Sequence, residues 1–288
     1  MMRKMLRLAL VILLSASIPT PVFAIDFIIY SQNLLRFGHG DKTANKCKEL
    51  NIQMAVVDIT FLQEVMTEVM DADSTGVPPC SILPGSVGWV SMGPYGKSTY
   101  KEYYLTLYRT TPRNGGPTVA YANDAMQATP ASDYMRPPVA LLFNITPSGS
   151  SIAKQVLIGN FHAVWGNTVA GRRAEVENVA KFYSSLKTAT FGNTPPPDKG
   201  HNIIIGGDWN MSATDAGFDS LRAAGAVIEP NELSSLNRAG ALSQPYDHFV
   251  HTPSMTLSNA QVYPATGWVA WRNNVSDHLG ITAEVSLP

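Results

Sequence analysis

The chain has 288 residues, 45% hydrophobic and 15% charged, which suits a globular chain with a large core and excludes a disordered or fibrous one. With 21 basic against 22 acidic residues it is no polycation. Any attraction to nucleic-acid phosphate must therefore come from a local basic patch or a bound cation.

Met1 to Arg7 is short and basic, Leu8 to Leu14 is an uninterrupted apolar run, and Val22-Phe23-Ala24 ends in the small residue that a signal peptidase reads. This is the pattern of a secretory signal peptide, residues 1–24, cleaved after Ala24. A membrane anchor is the rival reading, but Pro19 and Pro21 interrupt the stretch short of the roughly 20 apolar residues a span needs. Loss of Arg3, Lys4 and Arg7 with the leader leaves 18 basic residues against 22 acidic ones. A secreted or periplasmic location is oxidising, where the isolated pair Cys47 and Cys80 reads as a disulfide; two buried thiols are the alternative.

Residues 25–288 read as a single α/β domain, without repeats or a long linker. Branched and aromatic runs predict strands at Asp26–Ser31, Ala55–Gln63, Tyr103–Arg109, Val139–Ile145, Gln155–Trp165, Asn202–Asp208, Tyr246–His251 and Gly280–Leu287. Apolar residues at helical spacing predict a helix over Ala170–Thr188, with further helices at Lys42–Ala55 and Ala213–Ala224. Thr111–Pro117 and Thr194–Asp198 are loops by their Gly and Pro content.

Acidic and amide side chains recur at the ends of these strands: Asn33, Glu64, Asp208 and Asn210, and Asp277 just before the last. Oxygen donors of this kind select hard cations, Mg²⁺ first, with Ca²⁺ or Mn²⁺ as alternatives. Zinc is disfavoured, because the chain has no Cys cluster and no His-Glu-x-x-His, and its six histidines are scattered. Each residue alone has a plain structural reading as a turn, a strand end or a core histidine.

Their order carries more. Ser31-Gln32-Asn33, Leu62-Gln63-Glu64-Val65, Tyr100-Lys101-Glu102, Asn160-Phe161-His162, Gly206-Gly207-Asp208-Trp209-Asn210, Tyr246-Asp247 and Ser276-Asp277-His278 together resemble the endonuclease/exonuclease/phosphatase superfamily, most of all its deoxyribonuclease I branch. The resemblance runs from Asp26 to the C-terminus. It implies a four-layered α/β sandwich, two central β-sheets flanked by helices, with the site at one rim.

It further implies a divalent-metal-dependent phosphodiesterase, a largely non-sequence-specific DNA endonuclease. Glu102 would pair with His162, and Asp247 with His278, each carboxylate fixing the tautomer and raising the basicity of its imidazole. His278 would activate water and His162 protonate the leaving oxygen, or the reverse. Glu64 and Asp277 would hold the metal, Asp208 and Asn210 would place the phosphate or a second ion, and Asn33 would bond a non-bridging oxygen.

Two segments resemble the deoxyribonuclease branch in particular. Tyr95–Leu105 resembles its minor-groove loop and Met135–Ala140 its Arg-bearing strand, making Lys97 and Arg136 the expected contacts to double-stranded DNA. Tyr100 would stack on a sugar or pack on the strand. The chain departs from the branch at Met66, where that branch has a DNA-contacting arginine, and it lacks the branch's disulfide between the turn after Asn210 and the approach to Asp247.

Two rivals stand beside this reading. The same chemistry suits a sphingomyelinase, a phosphoinositide phosphatase or a toxin's nuclease subunit, and Gly267–Trp271 is either a lipid-facing aromatic loop or a packed one. A binding module that had lost activity should lack one of His162, Asp208, Asp247 and His278, yet all four are present.

Overall fold

The computed structural model describes residues 26–38, 42–66, 86–96, 100–166, 168–192, 195–198, 200–264 and 266–288. The leader, Cys80 and Lys97 lie outside the described residues. In chain order the elements are β1 (Phe27–Phe37), α1 (Thr43–Val56), β2 (Ile59–Val65), β3 (Val87–Tyr95), β4 (Glu102–Arg109), β5 (Thr118–Gln127), β6 (Val139–Thr146), β7 (Lys154–His162), α2 (Val169–Leu186), β8 (Asn202–Asp208), α3 (Asp219–Ala223), β9 (Val227–Glu229), β10 (Asp247–His251), β11 (Thr256–Tyr263), α4 (Trp268–Asn274) and β12 (Gly280–Ser286).

The strands form two mixed six-stranded sheets, ordered β11-β12-β1-β2-β4-β3 and β5-β6-β7-β8-β10-β9. The parallel pairs are β1 with β2 and β7 with β8, and each is joined through a helix, as a parallel connection requires. Phe27, Phe61, Phe143, Ile158, Phe249 and Val285 fill the space between the sheets. Val179, Tyr183 and Leu186 of α2 cover the outer face of the second sheet with Trp209 and Phe218. Leu50 and Met54 of α1 and Trp271 of α4 cover the outer face of the first. The result is the expected four-layered α/β sandwich. Among the described residues no helix is long and apolar enough to cross a membrane.

The predicted strands all form, with shifted ends: Ala55 and Val56 belong to α1, and β2 begins at Ile59. The strands that the sequence pattern missed are β3, β5, β9 and β11, which are the four sheet edges. An edge strand keeps less of its surface in the core, so it tolerates breakers such as Gly93 and Pro94 in β3 and polar residues such as Asn123 and Asp124 in β5, which blur the alternating pattern. The helix expected over Ala213–Ala224 is cut to a 3₁₀ turn at Ala216–Phe218 and the short α3, because the Asp215 side chain accepts from Gly217 N at 2.8 Å and starts the turn late. Gly267–Trp271 is no loop: Trp268 opens α4, with Trp271 buried beneath it.

What brings the two sheets into one rim is a polar stitch between their central strands. Gln63 Nε2 donates to Asn160 Oδ1 at 2.7 Å, and Asn160 Nδ2 donates to Leu62 O at 3.0 Å. Beside it, β7 and β8 come close enough that a Cβ on Gly207 would lie 1.8 Å from Phe161 O. The register of these two strands sets His162 opposite Asp208. Gly207→Ala is expected to destabilise the fold by about 3 kcal/mol, the upper end for forced overpacking. Denaturant unfolding measures this, and a cost below 1 kcal/mol would show that the strands can separate there.

Candidate active site

Three strand ends of the second sheet set the first row of the site. In register, His162 on β7 neighbours Asp208 on β8, which neighbours Asp247 on β10. The first sheet contributes Asn33 from β1, Glu64 from β2 and Glu102 at the start of β4. His278 stands just before β12, held by a bridge to Ser235.

Asp208, 1% exposed, is the meeting point. Its Oδ2 lies 3.6 Å from His162 Nε2 and 3.4 Å from His278 Nε2, and accepts from Asn33 Nδ2 at 3.1 Å. Its Oδ1 accepts from the Asn210 backbone at 2.9 Å, a turn made possible by the left-handed Asn210, φ 51°. Each histidine carries its own carboxylate on the other ring nitrogen: His162 Nδ1 to Glu102 Oε1 and His278 Nδ1 to Asp247 Oδ2, both at 2.8 Å. The pairings that the resemblance implied are those in the structure.

Burial alone would lower both imidazoles, but the charges around them reverse it. For His278, Asp247 and then Asp208 hold the imidazole well above its ordinary value. For His162, Arg136 adds to the lowering, yet Glu102 and Asp208 leave it raised. Glu102 is opposed by its own burial and is nevertheless held below the usual carboxylate range by His162 and Arg136.

Glu64 faces the cleft. Its Oε1 accepts from Asn33 Nδ2 at 3.2 Å, and its Oε2 from Tyr100 Oη and from Arg36 N, each at 3.1 Å. Tyr100 therefore bonds the carboxylate rather than simply packing on the strand. Leu35, Arg36 and Glu64 all have positive φ, a cluster of uncommon conformers at the site. Asp277 is half-buried on the same cleft, with Arg272 Nη1 at 3.6 Å. The cleft occupies about 850 Å³ and takes in Asn33, Glu64, His162, Asp208, Asn210 and His278.

The donor set fits a hard divalent cation. Asp208, Asp247 and His278 can each bring one ligand atom within 4.8 Å of the others, and the buried Asp247 Oδ1 has no hydrogen-bond partner. Two of those three already bond one another, so the more open oxygens of Glu64, backed by Asn33 and Asp208, are the better placed to take an ion from the cleft.

Arg136 is a correction. Expected to reach DNA, it is 5% exposed, with Nε 2.9 Å from Glu102 Oε1 and 3.0 Å from His162 O, and Nη2 2.6 Å from Ala163 O. Its Nε and Nη2 are engaged inside the protein, steadying the Glu102 and His162 pair. Asn210 likewise turns its side-chain amide inward to Ala163 O, at 2.9 Å. Sequence reasoning missed three supports. Ser234 Oγ donates to Asp247 Oδ2 at 2.6 Å; Ser276 Oγ donates to Asn33 O at 2.6 Å; Glu175 on α2 accepts from Met135 N and Val164 N, both at 2.5 Å. Ser276 stood in the Ser276-Asp277-His278 motif without a role of its own, Glu175 left a trace as an acid on the apolar side of its helix, and Ser234 left none.

No family model matches the chain, and no curated protein does. Solved structures do. An endonuclease/exonuclease/phosphatase family protein from Bacteroides thetaiotaomicron superposes with a TM-score of 0.60 at 13% identity, over 91% of this chain and 98% of that one. A mannosyl-6-phosphatase of the same organism gives 0.58 at 14%, over 90% and 99%. An AP endonuclease from Leishmania major gives 0.61 at 14%, over 91% and 88%. The chain thus has the endonuclease/exonuclease/phosphatase fold.

Glu102→Gln should leave Arg136 as an uncompensated buried charge, costing about 3 kcal/mol at pH 7. Because the folded carboxyl is held below its ordinary 4.5, its contribution is present above that pH and is lost as pH falls through the lowered value. Unfolding free energies of both forms across pH should therefore begin to approach each other as pH falls below 4.5 and meet only below the lowered value, and a gap that stays constant down the acid range would refute the assignment.

Proposed function

We propose that this chain, built on that fold, is a secreted divalent-cation-dependent phosphodiesterase that cuts DNA with little sequence preference. The observation carrying the reading is the convergence of two histidine–carboxylate pairs on Asp208 Oδ2, at 3.4 and 3.6 Å, beside the cleft-facing Glu64. Hydrolysis of a phosphoester needs a base for the attacking water, an acid for the leaving oxygen and positive charge between them.

His278, oriented by Asp247, takes the proton of the attacking water at Nε2. His162, backed by Glu102 and Arg136, delivers a proton from its Nε2 to the leaving oxygen; exchange of the two roles uses the same contacts. Glu64 with Asp208, both steadied by the Asn33 amide, would hold the cation, with Asp277 at the cleft wall, while Asn210 braces the segment after His162 through Ala163 O. When bound, that cation offsets the negative charge that gathers on the phosphoryl oxygens.

The DNA reading draws support from the exposed Arg36 and Arg238 on the cleft, which could meet phosphates on either side of the scissile one, and from the likeness to an AP endonuclease. The likeness to a mannosyl-6-phosphatase supports a smaller phosphomonoester as the second reading, and the inward-facing Arg136 removes one expected DNA contact. Secretion rests on the leader. The proposed bridge from Cys47 to Cys80 rests on that oxidising destination and on Cys47's buried place among Leu50 and Met54.

Plasmid nicking should require Mg²⁺ or Mn²⁺, stop with chelator, and fall at least about 100-fold in His162→Ala and in His278→Ala. Undiminished nicking by both variants would overturn the roles. Phosphate release from a sugar phosphate without nicking would favour the second reading.

A further inference from the structure

We infer that the Trp165 indole, braced edge to face by Tyr246, is an aromatic shelf that stacks an unpaired nucleobase beside the scissile phosphate, so that the substrate is a single-stranded or locally opened strand. This rests on the phosphodiesterase reading of the neighbouring site.

Trp165 is 63% exposed, while Trp209 and Trp271 are buried. Its exposure is not that of a loose loop. Ala163 donates from N to Asp208 O at 2.8 Å and receives the Arg136 and Asn210 side chains on its carbonyl, and Val164 N donates to Glu175 Oε2 at 2.5 Å. Trp165 is thus the first residue beyond a backbone fixed by the catalytic cluster, an apolar plane held out into water at the cleft rim.

The rings continue inward. Trp165 meets Tyr246 edge to face at a centroid separation of 6.0 Å, and Tyr246 lies at 6.5 Å and 31° from the His278 imidazole. Tyr246 is held in turn by its N–H on Ser234 Oγ at 3.1 Å, the hydroxyl that also bonds Asp247. Two ring steps therefore lead from the proton-transfer group to the exposed indole.

A planar, polarisable ring attached to a phosphate would lie on such a surface, and every base has a face to offer. Arg36 and Arg238 line the same cleft with exposed side chains that form no ion pair among the described residues, more positive charge than one phosphate needs. A strand with several phosphates and unstacked bases matches both features. A base inside a duplex is already stacked and cannot reach the shelf without being flipped out.

Binding in chelator separates the shelf from the chemistry. Oligothymidylate should quench tryptophan fluorescence and bind about ten-fold more tightly than an abasic oligomer of equal length. Trp165→Ala should bring that preference below about two-fold and remove the quench, and Trp165→Phe should restore most of the preference. Equal binding of the two oligomers to the unaltered protein, a preference that survives Trp165→Ala, or quenching by phosphatidylcholine vesicles and not by oligothymidylate would each overturn the shelf. Mg²⁺-dependent nicking with no base preference would leave the phosphodiesterase reading standing without it. A base preference with no cleavage under any divalent cation would do the opposite.

Discussion

A carboxylate buried to 1% exposure has to be satisfied from several directions at once, and at Asp208 those directions fix the geometry of the whole rim. One oxygen takes the Asn33 amide and faces two imidazoles; the other takes the Asn210 backbone. Each imidazole then needs a partner behind it, supplied by Glu102 and Asp247, and Glu102 needs a second cation, supplied by Arg136. The charges form a chain in which the loss of one strands the next. Such a cluster is weak as a source of stability but strong as a means of holding a geometry.

The backbone accommodates this at a cost that the fold bears locally. Glu64 and Asn210 adopt left-handed conformations that ordinary residues avoid, and Gly207 lets β7 and β8 approach where any side chain would strike Phe161 O. These exceptions sit where strands of both sheets end together. The sandwich core beneath is regular, so it can hold the irregular rim in place.

Support for the site comes from outside its own row. Glu175 on α2 ties down the segments before Arg136 and after Ala163, so a helix on the outer layer sets the stance of both the Arg clamp and Trp165. Ser276 joins the approach to β12 to Asn33 within β1, and Gln32 and Trp271 both donate to His278 O, which fixes the last histidine from the first sheet's side. Proton-transfer groups and the shelf thereby share one rigid frame.

Much of this was legible in the sequence. The interior strands showed themselves because they are buried on both faces, and Asn33, Glu64, Asp208, Asn210 and Asp277 could be picked out because acids and amides recur at the ends of the predicted strands. The resemblance supplied the histidine–carboxylate pairings, and the structure has them. The edge strands were hidden, since half of each faces solvent and its pattern is diluted. The direction of Arg136 was hidden as well: an arginine beside a strand reads the same whether it points outward to phosphate or inward to Glu102. So the sequence by itself determined which chemical groups are available and in what order. Beyond those two pairings, only the tertiary structure decided which of them meet, because burial, charge pairing and the close approach of β7 and β8 are set by residues more than 30 positions apart.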